Sequence, residues 1–174
     1  MFNEFILRGI IKMKLCLKEI IKRIALLEQQ KNQLLSDENQ NCVTTYGAEE
    51  EKQVSTYSFA NVRMEITNIN KKIRYLKHKL HYANATVNVP EFNMTIGECI
   101  IHMAQLNGEK SILERMATKE PKHRRSTFGG NVDWTETNYS KDECRDVLKS
   151  ITEQIMHLQM AIDRENLTHE IELD

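Results

Sequence analysis

Eight apolar residues, Phe59, Val62, Ile66, Ile69, Ile73, Leu76, Leu80 and Ala83, recur at alternating steps of three and four. That spacing lays one apolar stripe along a helix for more than three heptads, with Arg63, Glu65, Lys71, Lys72, Arg74 and Lys77 off the stripe. A stripe so long and narrow is buried only against other helices, which commits the chain to a helical fold. A similar stripe comes earlier, through Leu17, Ile20, Ile24 and Leu27. Lys31 then falls on it before Leu34 restores the pattern. A lysine there reaches outward along its own stem, so the partner helix should thin near that point.

Two further helices announce their starts. Thr95-Ile96-Gly97-Glu98 and Ser140-Lys141-Asp142-Glu143 have the spacing of a capping box, in which hydroxyl and carboxylate each satisfy an otherwise orphan amide. Behind the first run Ile96, Ile100, Met103, Leu106, Leu113 and Met116. Behind the second run Cys144, Leu148, Ile151, Ile155, Leu158 and Ile162. The expected fold is mainly α: one domain over residues 1–174, an antiparallel bundle of four long helices with heptad seams. Residues 1–12 read as a possible N-terminal extension.

The connections are unequal. Between the first two helices, Val43-Thr44-Thr45-Tyr46 and Val54-Ser55-Thr56-Tyr57 flank a glycine and an acidic run, Glu49 to Glu51. Between the last two lies PKHRRSTFGGNVDW, longer than the roughly 2–8 residues that helix-to-helix connections usually need. The expectation is that these two connections lie side by side as short strands, forming a small β element at one end of the bundle.

Composition narrows the function. The net charge is −1, which argues against wholesale binding of a phosphate backbone. The four cysteines stand far apart with no C-x-x-C pair, so they read as reduced, small apolar packers and not as a metal site. The first residues carry too many charges for a signal sequence, and no run is apolar for the length of a membrane span. A cytoplasmic protein is expected. Cys99 and Glu98 lie within reach of His102 on one helix, yet a nucleophile needs an oriented base and a metal needs more ligands. No catalytic or phosphate-cradling motif occurs. The expectation is no enzyme, no metal and no cofactor.

The basic connection is the stronger candidate. Arg124 and Arg125 offer planar forks to a phosphate or carboxylate, Lys122 adds a point charge, and His123 and Ser126 stand beside them. Phe128, Trp134 and Tyr139 supply rings on which a base can stack, and Gly129-Gly130 permits close backbone approach. Asn84 and Asn166 open two N-x-T groups at the ends of helical seams, as C-caps or as further ligand contacts. The alternative for the arginines is a solvated turn that meets Glu49 to Glu51 of the other connection.

From Met13 onward the chain resembles the septicolysin-like family of small helical bacterial proteins. The likeness rests on the opening MKLCLKEIIKRIALLEQQKNQLL, on Asn84 followed by the threonine-capped run Thr95 to Glu98, and on Lys122-His123-Arg124-Arg125-Ser126 in place of R-x-x-R-S. It also rests on the close Ile162-Asp163-Arg164-Glu165-Asn166-Leu167-Thr168, where leucine replaces the family's tryptophan. The resemblance implies a helical bundle with a small β element and self-association, and no particular reaction.

Three functions fit these readings. The first is a non-catalytic homo-oligomer holding a small anionic, nucleotide-like ligand in basic, aromatic-lined pockets. It would act as a sponge for a signalling nucleotide, for example on behalf of a phage facing bacterial immunity. The second is a structural coiled-coil assembly protein without a ligand. The third is a nucleic-acid-binding module, disfavoured by the neutral charge.

Overall fold

A computed structural model describes residues 13–51, 54–126 and 132–173. The N-terminal twelve residues, Phe128 and the Gly129-Gly130 pair lie outside the described residues. The chain is mainly helical, with small antiparallel strand pairs. Its elements run β1 (Met13–Cys16), α1 (Leu17–Asn41), α2 (Phe59–Thr86), β2 (Asn88–Val89), β3 (Met94–Thr95), α3 (Ile96–Thr118), β4 (Lys122–Ser126), β5 (Val132–Glu136), α4 (Lys141–Thr168) and β6 (Glu170–Leu173). Contacts divide it into two compact units, 1–84 with 166–174, and 85–165.

In the first unit α1 and α2 run antiparallel, with Lys77 paired to Glu28 at 2.6 Å and Arg63 to Glu38 nearer the other end. Ile20 and Ile24 of α1 meet Ile73 and Leu76 of α2 in one cluster, which Leu27, Ile69 and Leu80 flank. Lys31, half-buried, follows directly where that cluster ends. The stripe that begins at Phe59 is buried only from Ile66 onward, and Phe59 itself is 65% exposed.

A ribbon unforeseen in the sequence closes this unit. β1 pairs antiparallel with β6 from Met13↔Leu173 to Cys16↔Glu170, and Leu15, Ile171 and Leu173 join the helical cluster. The ribbon leads straight into α1, whose first amide, Leu17 N, donates to the His169 carbonyl at 3.2 Å.

The second unit begins with a tight turn. β2 and β3 pair through Asn88↔Thr95 and Val89↔Met94, and Asn93 adopts a left-handed φ of 51°, a conformation asparagine tolerates better than most residues. Arg164 of α4 bonds Glu91 in this turn. The capping box at Thr95 forms as its spacing predicts: Glu98 N donates to Thr95 Oγ1 at 3.2 Å, and Thr95 N donates to Glu98 Oε2 at 2.7 Å. At Ser140, the hydroxyl accepts from Glu143 N at 3.4 Å.

The β element differs from its expected form. Among the described residues of the first long connection there is no strand. The second connection instead pairs with itself, β4 against β5, from Lys122↔Glu136 to Ser126↔Val132. Pairing one connection with itself closes a much shorter loop than bringing two distant connections together.

Ile20 is fully buried, so Ile20→Ala should cost about 2–5 kcal/mol in denaturant unfolding, whereas Val43→Ala at an exposed position should stay within about 0.5 kcal/mol. The amide and hydroxyl of Thr95 hold the Glu98 carboxyl below its ordinary value of 4.5. A depressed carboxyl stabilises the fold above the unfolded-state value and loses that effect as pH falls through the folded one. The stability gap between the wild type and Glu98→Gln should therefore be open at neutral pH and close in acid, as followed by denaturation across pH.

Candidate functional site

The hairpin β4–β5 places the basic residues. Side chains alternate along a strand, so Lys122 and Arg124 share one face with Trp134 and Glu136, while His123 and Arg125 share the other with Asp133 and Thr135. The adjacent arginines thus serve opposite faces of the ribbon.

The first face is largely self-satisfied. Lys122 pairs with Glu136 at 2.5 Å, and its ammonium lies 5.1 Å from the centroid of the Trp134 ring. Trp134 remains 59% exposed. Arg124 has no acidic partner among the described residues and is exposed.

The second face overlooks a cavity of about 710 Å³, lined by Lys119, His123, Arg125, Thr135, Asn138 and Tyr139 and also by Glu120 and Glu136. His123 Nδ1 lies 3.0 Å from Glu120. Lys119 and Arg125 make no ion pair among the described residues, so both cations face the cavity without a bonded acid, with the Glu120 and Glu136 carboxylates also on its wall. Its floor is firm. Tyr139 donates its hydroxyl to the Met116 carbonyl at 2.8 Å, near the C-terminus of α3, and Thr137 N donates to the Pro121 carbonyl at 2.9 Å, continuing the ladder beyond Glu136. The Cys144 thiol donates to the Leu113 carbonyl at 3.5 Å, tying the start of α4 to the end of α3.

Of the residues singled out in the sequence, His123, Arg125 and Tyr139 come together at the cavity, and Lys122, Arg124 and Trp134 lie on the opposite face. Ser126 ends β4 opposite Val132. Asn84, half-buried, and Asn166, buried, sit in the last turns of α2 and α4, in the unit that does not hold the hairpin. The sequence reading missed Lys119, Thr135 and Asn138. Strand pairing was the signal that would have found Thr135, since it stands opposite His123.

Around Cys99 the neighbouring groups serve capping and packing. Glu98 is spent on its cap, and burial, reinforced by the Glu98 charge, pushes the fully buried Cys99 thiol up, away from the reactive thiolate. Cys144 is also buried, whereas Cys16 is half-exposed and Cys42 exposed, so only two of the four cysteines are the packers expected. Among the described residues no three His, Cys, Asp or Glu side chains gather as a metal site. No helix among them is long and apolar enough to cross a membrane.

The described fold is a mainly helical one with three small antiparallel ribbons. It is similar to the crystal structure of a functionally unknown conserved protein from Corynebacterium diphtheriae, with a TM-score of 0.69 over 91% of this chain and 99% of that one, at 12% sequence identity. At that identity the likeness concerns the fold alone. No protein-family model matches the chain, and no curated protein matches it.

Tyr139→Phe removes one neutral hydrogen bond and should lower stability by about 1 kcal/mol. Denaturant unfolding of the two proteins side by side measures it.

Proposed function

We propose that this protein binds a small anionic, nucleotide-like ligand without transforming it, and that the cavity beneath the His123–Arg125 face of the hairpin receives the negative charge. The observation that carries the reading is the pair of cations without an ion-pair partner among the described residues, Lys119 and Arg125, beside the ring of Tyr139 in a cavity of about 710 Å³. That volume lies within the usual range for small-molecule sites. Arg125 supplies a planar fork for phosphate oxygens, Lys119 a mobile point charge, and Asn138 and Thr135 polar groups that can orient the guest. On the opposite face, Trp134 and Arg124 form a second surface able to hold a flat ring.

In this reading the four helices form a bundle and the chain is a cytoplasmic homo-oligomer related to the septicolysin-like proteins. Ile101 and Ile112 support self-association, because these large apolar residues are 60% and 51% exposed on α3. An abundant protein of this kind lowers the free concentration of its ligand by mass action alone. Sequestering a signalling nucleotide, as a phage would against bacterial immunity, needs nothing more. A structural assembly without a ligand is the competing reading, and the same exposed isoleucines favour it.

Calorimetry or thermal shift against a panel of linear and cyclic nucleotides separates the two. Saturable binding should be lost in Arg125→Glu and Lys119→Glu and weakened less in Arg124→Glu, and light scattering should give a mass above one chain. Absence of any nucleotide response from an oligomeric wild type would leave the structural reading.

A further inference from the structure

A different cavity, of about 380 Å³, lies where the end of α1 meets the start of α2. At its floor is Glu38, the charged side chain among the described residues that is buried. A carboxylate taken out of water in a mostly wet helix pair costs free energy unless it is partnered, and here it has two partners. Glu38 Oε1 accepts from the Tyr57 hydroxyl at 2.8 Å and from Arg63 Nε at 3.1 Å, while Arg63 Nη2 pairs with Oε2. The guanidinium lies 5.5 Å from the centroid of the Phe59 ring, so its plane is fixed on two sides.

The groups left over define a ligand. Two donors saturate Oε1, but Oε2 has one lone-pair direction still open. Arg63 Nη1 has no acceptor among the described residues, and Asn39 at the rim adds an amide. Charge at the floor is balanced, so neither a free anion nor a free cation is favoured. Leu35 and the Phe59 ring, both exposed, give flat apolar walls. An open acceptor beside an open donor, between apolar walls, matches a ring N–H next to a ring C=O.

We propose that this cavity is a second ligand site, separate from the basic hairpin, for an uncharged planar heterocycle with a lactam edge. The ring N–H donates to Glu38 Oε2, the adjacent carbonyl accepts from Arg63 Nη1, and the ring face lies against Phe59. The site does not depend on the reading of the hairpin, because a ligand without phosphate gives Arg125 nothing to hold.

Cys42 makes the test direct, since its exposed thiol lines the rim and an occupant would shield it. Alkylation of Cys42 by iodoacetamide is followed by peptide mass spectrometry with hypoxanthine as the probe, with purine, which lacks the lactam, as the comparison, and with Cys16 as the internal control. Hypoxanthine should slow Cys42 alkylation saturably, and purine should need about tenfold more to do so, or fail, because it leaves the Glu38 acceptor and the Arg63 donor unmatched. Phe59→Ala, at an exposed position, should abolish the protection while circular dichroism stays unchanged. Glu38→Gln should abolish it too, and Arg125→Glu should preserve it. Equal Cys42 rates with and without hypoxanthine, equal protection by purine, protection of Cys16 to the same degree, or protection surviving in Phe59→Ala would each overturn the proposal.

Discussion

Neighbouring residues on a β-strand point to opposite sides of their ribbon, and in β4–β5 this divides Lys122, His123, Arg124 and Arg125 into two pairs. The division decides what each cation can do. Lys122 is held by Glu136 and by the face of Trp134, whereas Arg125 lines a cavity and makes no ion pair among the described residues. A two-stranded ribbon is marginal in water by itself. This one is anchored by the bond from Tyr139 to the end of α3 and by the extra ladder bond between Thr137 and Pro121. The anchor fixes the ribbon that carries Arg125 against the end of α3.

The helices were legible from the sequence because their signals are local. A heptad stripe and an S/T-x-x-E run need only neighbours within one or two turns, and the Thr95 box forms as its spacing demands. The β1–β6 ribbon was not legible, since it joins Met13–Cys16 to Glu170–Leu173 across nearly the whole chain. Two four-residue strands carry too little alternation to announce such a pairing. The hairpin lay between these cases. Val132, Trp134 and Thr135 favour strands and Gly129-Gly130 favours a turn, so strand was the expectation there, but with the first connection as its partner and not with the connection paired to itself.

The same limit explains the sites. A run of basic and aromatic residues marks where anion chemistry can occur, and the cavity does lie there. The run could not reveal that Arg124 and Arg125 part company, because that follows from backbone conformation and not from residue type. Glu38 was invisible for a related reason: a glutamate on a helix reads as solvated, and only the packing of Tyr57 and Arg63 from a distant segment buries it.

The central claim is that charge recognition belongs to one face of the ribbon. Side-chain nitrogen NMR of the arginine Nε groups, with Arg124→Lys and Arg125→Lys used to assign the signals, tests it during titration with a phosphate-bearing nucleotide. The account predicts a saturable shift of the Arg125 signal and a much smaller one at Arg124. A shift confined to Arg124, or the same slight drift at every arginine, would contradict it.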